Sequence, residues 1–228
     1  MTQGIVTNWS ENPTHPPFVT VSFSLLCVFA LLVYTGLSPV MQQAMIEVGG
    51  MQPSFISPLL ERGPAAWWDI SSLSLVSALF IHASWLHLLG NIAYLWVFGI
   101  KVEQRLGSIG ISLIFLLGGA LANVIVALRL PALETPIIGA SGAVSAVVGA
   151  YLGLFPGRRI GLFLPLGLYL QFARVPALLV IGSWFTLQLL YTVFGPINGA
   201  VAWWTHLAGF ALGLSFALIA RALAQIRV

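Results

Sequence analysis

The sequence predicts an all-α polytopic membrane protein of six transmembrane helices. Three observations carry this. Of the 228 residues, 59% are hydrophobic and only 7% charged, a balance far from that of a soluble domain. Apolar segments close to the roughly 20 residues that span a bilayer recur from Phe18 almost to the C-terminus. The basic residues fall unequally in the connections between those segments. No polar region is long enough for a second, soluble domain. One membrane domain over residues 18–222 is expected, with a short polar tail at 1–17 and a second tail at 223–228.

The segments run, in order, about Phe18 to Leu37, Trp85 to Ile100, Ile109 to Leu130, Ile138 to Phe155, Val175 to Phe194 and Val201 to Ile219. The second is short, and the apolar stretch Leu73 to Ile81 ahead of it either extends it or lies at the interface. The first connection, about residues 38–84, holds Met41, Ile46, Trp67 and Trp68 among prolines and glycines, which suits an interfacial, partly inserted loop. Glu103 and Arg105, after the second helix, read as a helix-end hydrogen-bonding unit. Between Gly157 and Pro176 the chain is apolar but interrupted, with arginines at both ends, and reads as an interfacial stretch instead of a seventh span. Gly195 to Gly199 reads as a short turn between the fifth and sixth helices, and the pairs Trp67–Trp68 and Trp203–Trp204 as interface anchors.

Six spans place both termini on one side, so the basic residues can be tallied by side. Lys101, Arg105, Arg158, Arg159, Arg174, Arg221 and Arg227 fall on one side, and Arg62 and Arg129 on the other. Basic residues accumulate in the cytoplasm, so both termini are expected there, in a bacterial-type inner membrane, with the long first connection outside. The cations are scattered and form no polybasic face, which argues against nucleic acid as a partner. Cys27 is the single cysteine and has no thiol to pair with. No Lys or Arg precedes the first apolar run and no small-residue cleavage pattern follows it, so a cleaved signal peptide is not expected.

Polar side chains are costly inside a bilayer and are functional candidates there. His87 and Asn91, four apart, share one face of the second helix. The fourth helix opens on Gly139, Ala140, Ser141 and Gly142, and the sixth carries His206 near its start. With the termini inside, all three helices begin at the outer face, so these groups reach a similar depth. They supply the parts of acyl transfer. Ser141 is the candidate nucleophile and His206 the base that takes its proton. The Ser141 backbone N–H and the side chains of His87 and Asn91 could supply donors for an oxyanion. None of the six acids falls in the outer half of a span, which leaves a Ser–His dyad; Glu134, before the fourth helix, is the nearest. Ser141, Ser145, Gly149 and Gly153 form a small-residue stripe at spacing four, and Gly209 and Gly213 repeat it on the sixth helix, which would let the two helices approach closely.

These motifs resemble the rhomboid family of intramembrane serine proteases. The resemblance rests on H82-ASWL-H87-LLG-N91, on G139-A-S141-G, on H206-LA-G209-FAL-G213 and on E103-Q-R105-L-G107, in that family's order of helices, and runs from about Trp67 through Ile219. It implies a six-helix bundle with a water-accessible cavity open to the outside, no metal or cofactor, and transmembrane proteins in the bilayer as substrates. It further implies Ser141 as nucleophile, His206 as base, His87 and Asn91 as oxyanion donors, and His82 as a supporting residue. One position departs from the pattern. Some members carry an aromatic ring four residues after the serine, stacked on the histidine, where this chain has Ser145; either another ring orients His206 or Ser145 hydrogen-bonds nearby. Taken singly, Ser141 is a packing residue, His87 and Asn91 interhelical hydrogen-bonding groups and His206 an interfacial histidine; it is their joint occurrence that favours catalysis. The alternatives are a catalytically inactive rhomboid-like protein that binds membrane clients and, further off, a small transporter.

Overall fold

A computed structural model describes residues 16–63, 69–166, 169–194 and 197–226. Most of the first tail, the pair Trp67–Trp68, Gly195 and Pro196, and Arg227 lie outside them. The described chain is mostly helical, and its exposed surface is apolar. On α1 (Phe18–Gly36) the inward face is Thr20, Ser24, Cys27 and Leu31, while Leu25, Phe29 and Leu32 are more than half exposed. A helix with polar groups inside and hydrocarbon outside is arranged for lipid.

Among the described residues, three helical stretches are long and apolar enough to cross a membrane: Phe18–Gly36, Trp85–Arg129 and Trp203–Leu223. Ser141–Leu154 and Ala177–Leu190 are shorter apolar helices. The second stretch is not one rod. It begins as α5 (Trp85–Tyr94), passes through a π-helical turn at Leu95–Gly99 and continues as α6 (Ile100–Arg129). Gly107, at φ 72° and ψ 176°, breaks α6. A side chain there would be strained, so glycine allows the break. The break divides the expected second and third helices.

Near that break, Glu103 is fully buried and its carboxylate accepts from Val19 N at 2.8 Å, Thr20 N at 2.8 Å, Thr20 Oγ1 at 2.7 Å and Ser108 Oγ at 3.2 Å. It thereby caps α1, whose own N-cap residue, Pro17, offers no side-chain hydrogen bond. Glu103 is thus the helix-end unit the sequence suggests, acting on a helix more than 80 residues away.

The first connection is partly helical. Proline opens both α2 (Pro39–Gly49) and α3 (Pro53–Glu61), where its missing N–H costs nothing. Between the two, Met51 pairs with Ile137, the residues exchanging backbone hydrogen bonds of 2.9 and 2.8 Å. Leu73 to Ile81 does not extend α5; it forms a 3-10 turn ending at Leu73 and the short α4 (Ser74–Ser77), and buries Ala78 and Leu79.

The core lies around α7 (Ser141–Leu154), in which every residue from Gly142 to Tyr151 is buried. Against it pack α6 and α9 (Ile197–Ile226), with Phe98, Phe115 and Phe210 in the same cluster. The small stripe on α7 needs a correction. Gly142 meets Thr205, Gly149 the Phe210 backbone and Gly153 Ala217, whereas Ser141 and Ser145 turn toward a cavity. A strict spacing of four drifts by about 40° per step on a helix of 3.6 residues per turn, so it cannot hold one face. The interface instead follows Gly142, Ala146, Gly149 and Gly153, with Gly209 and Gly213 opposite. At the far end the Arg221 guanidinium donates to Gly153 O at 2.7 Å.

The all-α expectation also needs correction. Arg159–Leu166 (β1) and Tyr169–Pro176 (β2) form an antiparallel hairpin, with Phe163 opposite Phe172 and Ala177 N closing on Arg158 O at 2.8 Å. Gly161 and Pro165 disfavour a helix there, and pairing satisfies the backbone that an irregular interfacial stretch would leave open. The hairpin leads into α8 (Ala177–Phe194).

Candidate active site

Ser141 is the first residue of α7, and the chain before it is held on three sides. Ile137 pairs with Met51, Gly139 N donates to Ala78 O at 2.8 Å, and Ala140 N donates to His82 Nε2 at 3.4 Å. Gly139 has φ 113°, and a Cβ there would lie 2.5 Å from the His87 ring. Glycine is required twice over, by the backbone and by the imidazole against it.

α5 presents the next two groups. Ser84 caps it, its hydroxyl accepting from His87 N at 3.3 Å. The Asn91 amide donates to His82 Nε2 at 3.0 Å and to the His87 carbonyl at 3.2 Å. Both amide hydrogens are therefore engaged, and Asn91 reaches an oxyanion only by releasing one of these acceptors. His82 is fully buried, with Nδ1 3.2 Å from Phe80 O. A carbonyl can only accept, so Nδ1 carries the proton and Nε2 receives both Asn91 and Ala140. His82 stays off the cavity wall and holds the two segments that form it.

His206 lies on α9, level with Ser141. Gly142 abuts Thr205 and Gly209 abuts the Gly142 carbonyl, so the neighbours of the serine and the histidine touch. Ser141, Ser145, His87, Asn91, Trp184 and His206 all line one cavity of about 300 Å³. Among the described residues, no hydrogen bond joins the Ser141 hydroxyl to His206, whose Nδ1 is instead 2.9 Å from Gln188 Oε1. Catalytic hydrogen bonds are often long before substrate binds. Glu134 is exposed and does not line the cavity.

The question posed by Ser145 is answered by geometry. Its hydroxyl donates back to Ser141 O at 2.7 Å, while the Trp184 ring lies 6.2 Å from the His206 ring and Trp203 meets it edge-on at 5.8 Å. Trp203, half-buried, therefore packs against the imidazole, and Trp204 has the Arg129 guanidinium 4.6 Å above its ring, so neither is only an interface anchor. Sequence reasoning missed Trp184 and Gln188. The available signal was an amide within an apolar helix, four residues after an aromatic ring.

Residues 65–223 match the family model of the rhomboid domain. The chain is 40% identical over 79 residues to Rhomboid-like protein 11, chloroplastic, of Arabidopsis thaliana, covering 35% of this chain and 26% of that protein. It is 33% identical over 98 residues to Rhomboid protein 1, mitochondrial, of Saccharomyces cerevisiae, covering 41% of this chain and 28% of that one. Over 204 residues it is 26% identical to Rhomboid-related protein 2 of Mus musculus, covering 88% of this chain and 63% of that protein. The matches thus span from about a quarter to under two thirds of these relatives' lengths. Two of the relatives are named for organelles, which lends nothing to the bacterial-type membrane expected from the sequence; the family supports a membrane protein. With its model matching well over half of the sequence, this chain belongs to the rhomboid family.

Proposed function

We propose that the chain is an intramembrane serine endopeptidase that cuts transmembrane protein substrates by a Ser141–His206 dyad. The observation that carries the reading is the single cavity to which three helices, α5, α7 and α9, bring Ser141, His206, His87 and Asn91. In this mechanism His206 Nε2 takes the Ser141 proton as Oγ attacks the scissile carbonyl, then returns it to the leaving amine. His87, the Ser141 N–H and Asn91 stabilise the oxyanion. No cofactor takes part.

Six spans accommodate the chain: α1, α5 continued to Gly107, Ser108 to Arg129, α7, α8 and α9. At 14 residues α7 is only about 21 Å long, short of the roughly 30 Å hydrocarbon core. Its burial supports the assignment, since irregular backbone before Ser141 is tolerated at membrane depth where protein surrounds it. Both termini face the cytoplasm and the cavity opens outward. In a Cys27→Ser background, a cysteine at position 227 is expected to resist membrane-impermeant thiol reagents on intact cells and to react after lysis. Labelling without lysis would invert the topology.

Cleavage of a single-span substrate in proteoliposomes tests the chemistry. His87→Ala and Asn91→Ala are each expected to lower kcat by about 10²–10³-fold, the usual contribution of one oxyanion donor, with the backbone donor remaining. An unchanged rate in the double variant would remove both from the mechanism. A client-binding protein without catalysis would capture such a substrate and leave it whole.

A further inference from the structure

We infer that Gln188 is a positioning residue for the reaction, its amide oxygen on α8 fixing His206 as the Nδ1–H tautomer so that Nε2 faces the serine as a base. This rests on reading His206 as the base. The argument starts from the 2.9 Å separation of His206 Nδ1 and Gln188 Oε1. An amide oxygen carries no hydrogen, so the pair is bonded only when Nδ1 holds the proton. A neutral imidazole has one N–H, and Nε2 is then left with the lone pair that accepts a proton.

The surroundings agree. Gln188 is 7% exposed on a helix with no other amide and no charged side chain, and a buried amide is costly unless hydrogen-bonded. One turn earlier on α8, Trp184 flanks the same imidazole, and Trp203 closes its edge. Two rings and one directed bond restrict the imidazole plane. When Nε2 takes the Ser141 proton, the Nδ1–H···O bond becomes charge-assisted and strengthens. The amide thus does part of the work of a triad acid, without a carboxylate in the membrane. His87, across the cavity, and Tyr94 are the other titratable side chains on its wall among the described residues.

The test combines a spectroscopic and a kinetic measurement on the full chain. In protein labelled with ¹⁵N-histidine, with His206 assigned by loss of its signals in His206→Asn, the native ring is expected as the Nδ1–H tautomer. Gln188→Leu is expected to mix or reverse the tautomers. In the cleavage assay Gln188→Leu is expected to lower kcat about 10–100-fold with little change in KM. Gln188→Glu is expected to recover most of that loss and to move the acid limb of the pH–rate profile upward, since a carboxylate favours the imidazolium. A native-like His206 tautomer in Gln188→Leu overturns the inference, whatever the activity does. If Gln188→Leu fails to fold, Gln188→Glu decides: an unmoved His206 titration by ¹⁵N shift overturns it. If the native chain cleaves nothing, the protease reading fails, while the ¹⁵N spectra still decide the role of Gln188.

Discussion

Replacing Ser141 by alanine, or His206 by alanine, is expected to abolish cleavage, a fall of roughly 10⁶-fold, while the protein stays folded. The two act as one chemical unit. Without His206 the hydroxyl keeps its proton, and without Ser141 the imidazole has nothing to activate. The double variant is therefore expected to be no worse than either single one. Alanine at 141 is a mild structural change, because among the described residues the hydroxyl forms no hydrogen bond and only points into the cavity. Alanine at 206 also removes the Gln188 partner, so thermal unfolding must accompany the assay. Substantial cleavage by Ser141→Ala would place the nucleophile elsewhere.

The second large effect is expected far from the hydroxyl. In Gly213→Val, the new Cβ falls on the Ala146 carbonyl oxygen and within 2.8 Å of Ala146 Cα. Helix backbone cannot swing aside as a side chain does, so α7 and α9 must separate. We expect a loss of stability of about 3 kcal/mol, the upper end of overpacking costs. Activity should fall by at least about 10²-fold, since one turn toward the cavity Gly209 meets Gly142, and a shift of about 1 Å there moves His206 away from Ser141. Gly182→Ala on α8 is the control, because nothing lies within 4 Å of a Cβ at that position. It should leave the melting temperature unchanged or slightly raised. A Gly213→Val protein with native melting and native turnover would show that close approach of α7 and α9 is not required.

Much of this was legible because membrane burial simplifies the code. Hydrophobic length marked the apolar segments, and the scarcity of polar residues made His87, Asn91, Ser141 and His206 conspicuous. What escaped depended on phase and on distant partners. Ser145 seemed to belong to the packing stripe until the 3.6-residue turn rotated it to the cavity. Gln188 was hidden because one polar residue on a fifth helix has no motif, and only the fold shows that its oxygen meets His206. The hairpin at Arg159 to Pro176 was concealed by an apolar composition that fits an interfacial segment equally well, since strand pairing there is set by Gly161 and Pro165 excluding a helix. Glu103 was recognised as a helix-end group, yet nothing local says that the helix it caps begins at Phe18.

The claim that Ser141 is an activated nucleophile is tested most directly by a serine-directed fluorophosphonate probe on the purified protein, with the labelled peptide mapped by mass spectrometry. The account predicts one modified residue, Ser141, with labelling lost in Ser141→Ala and in His206→Ala. Absence of labelling from folded native protein, or modification of another serine that persists in Ser141→Ala, would contradict it.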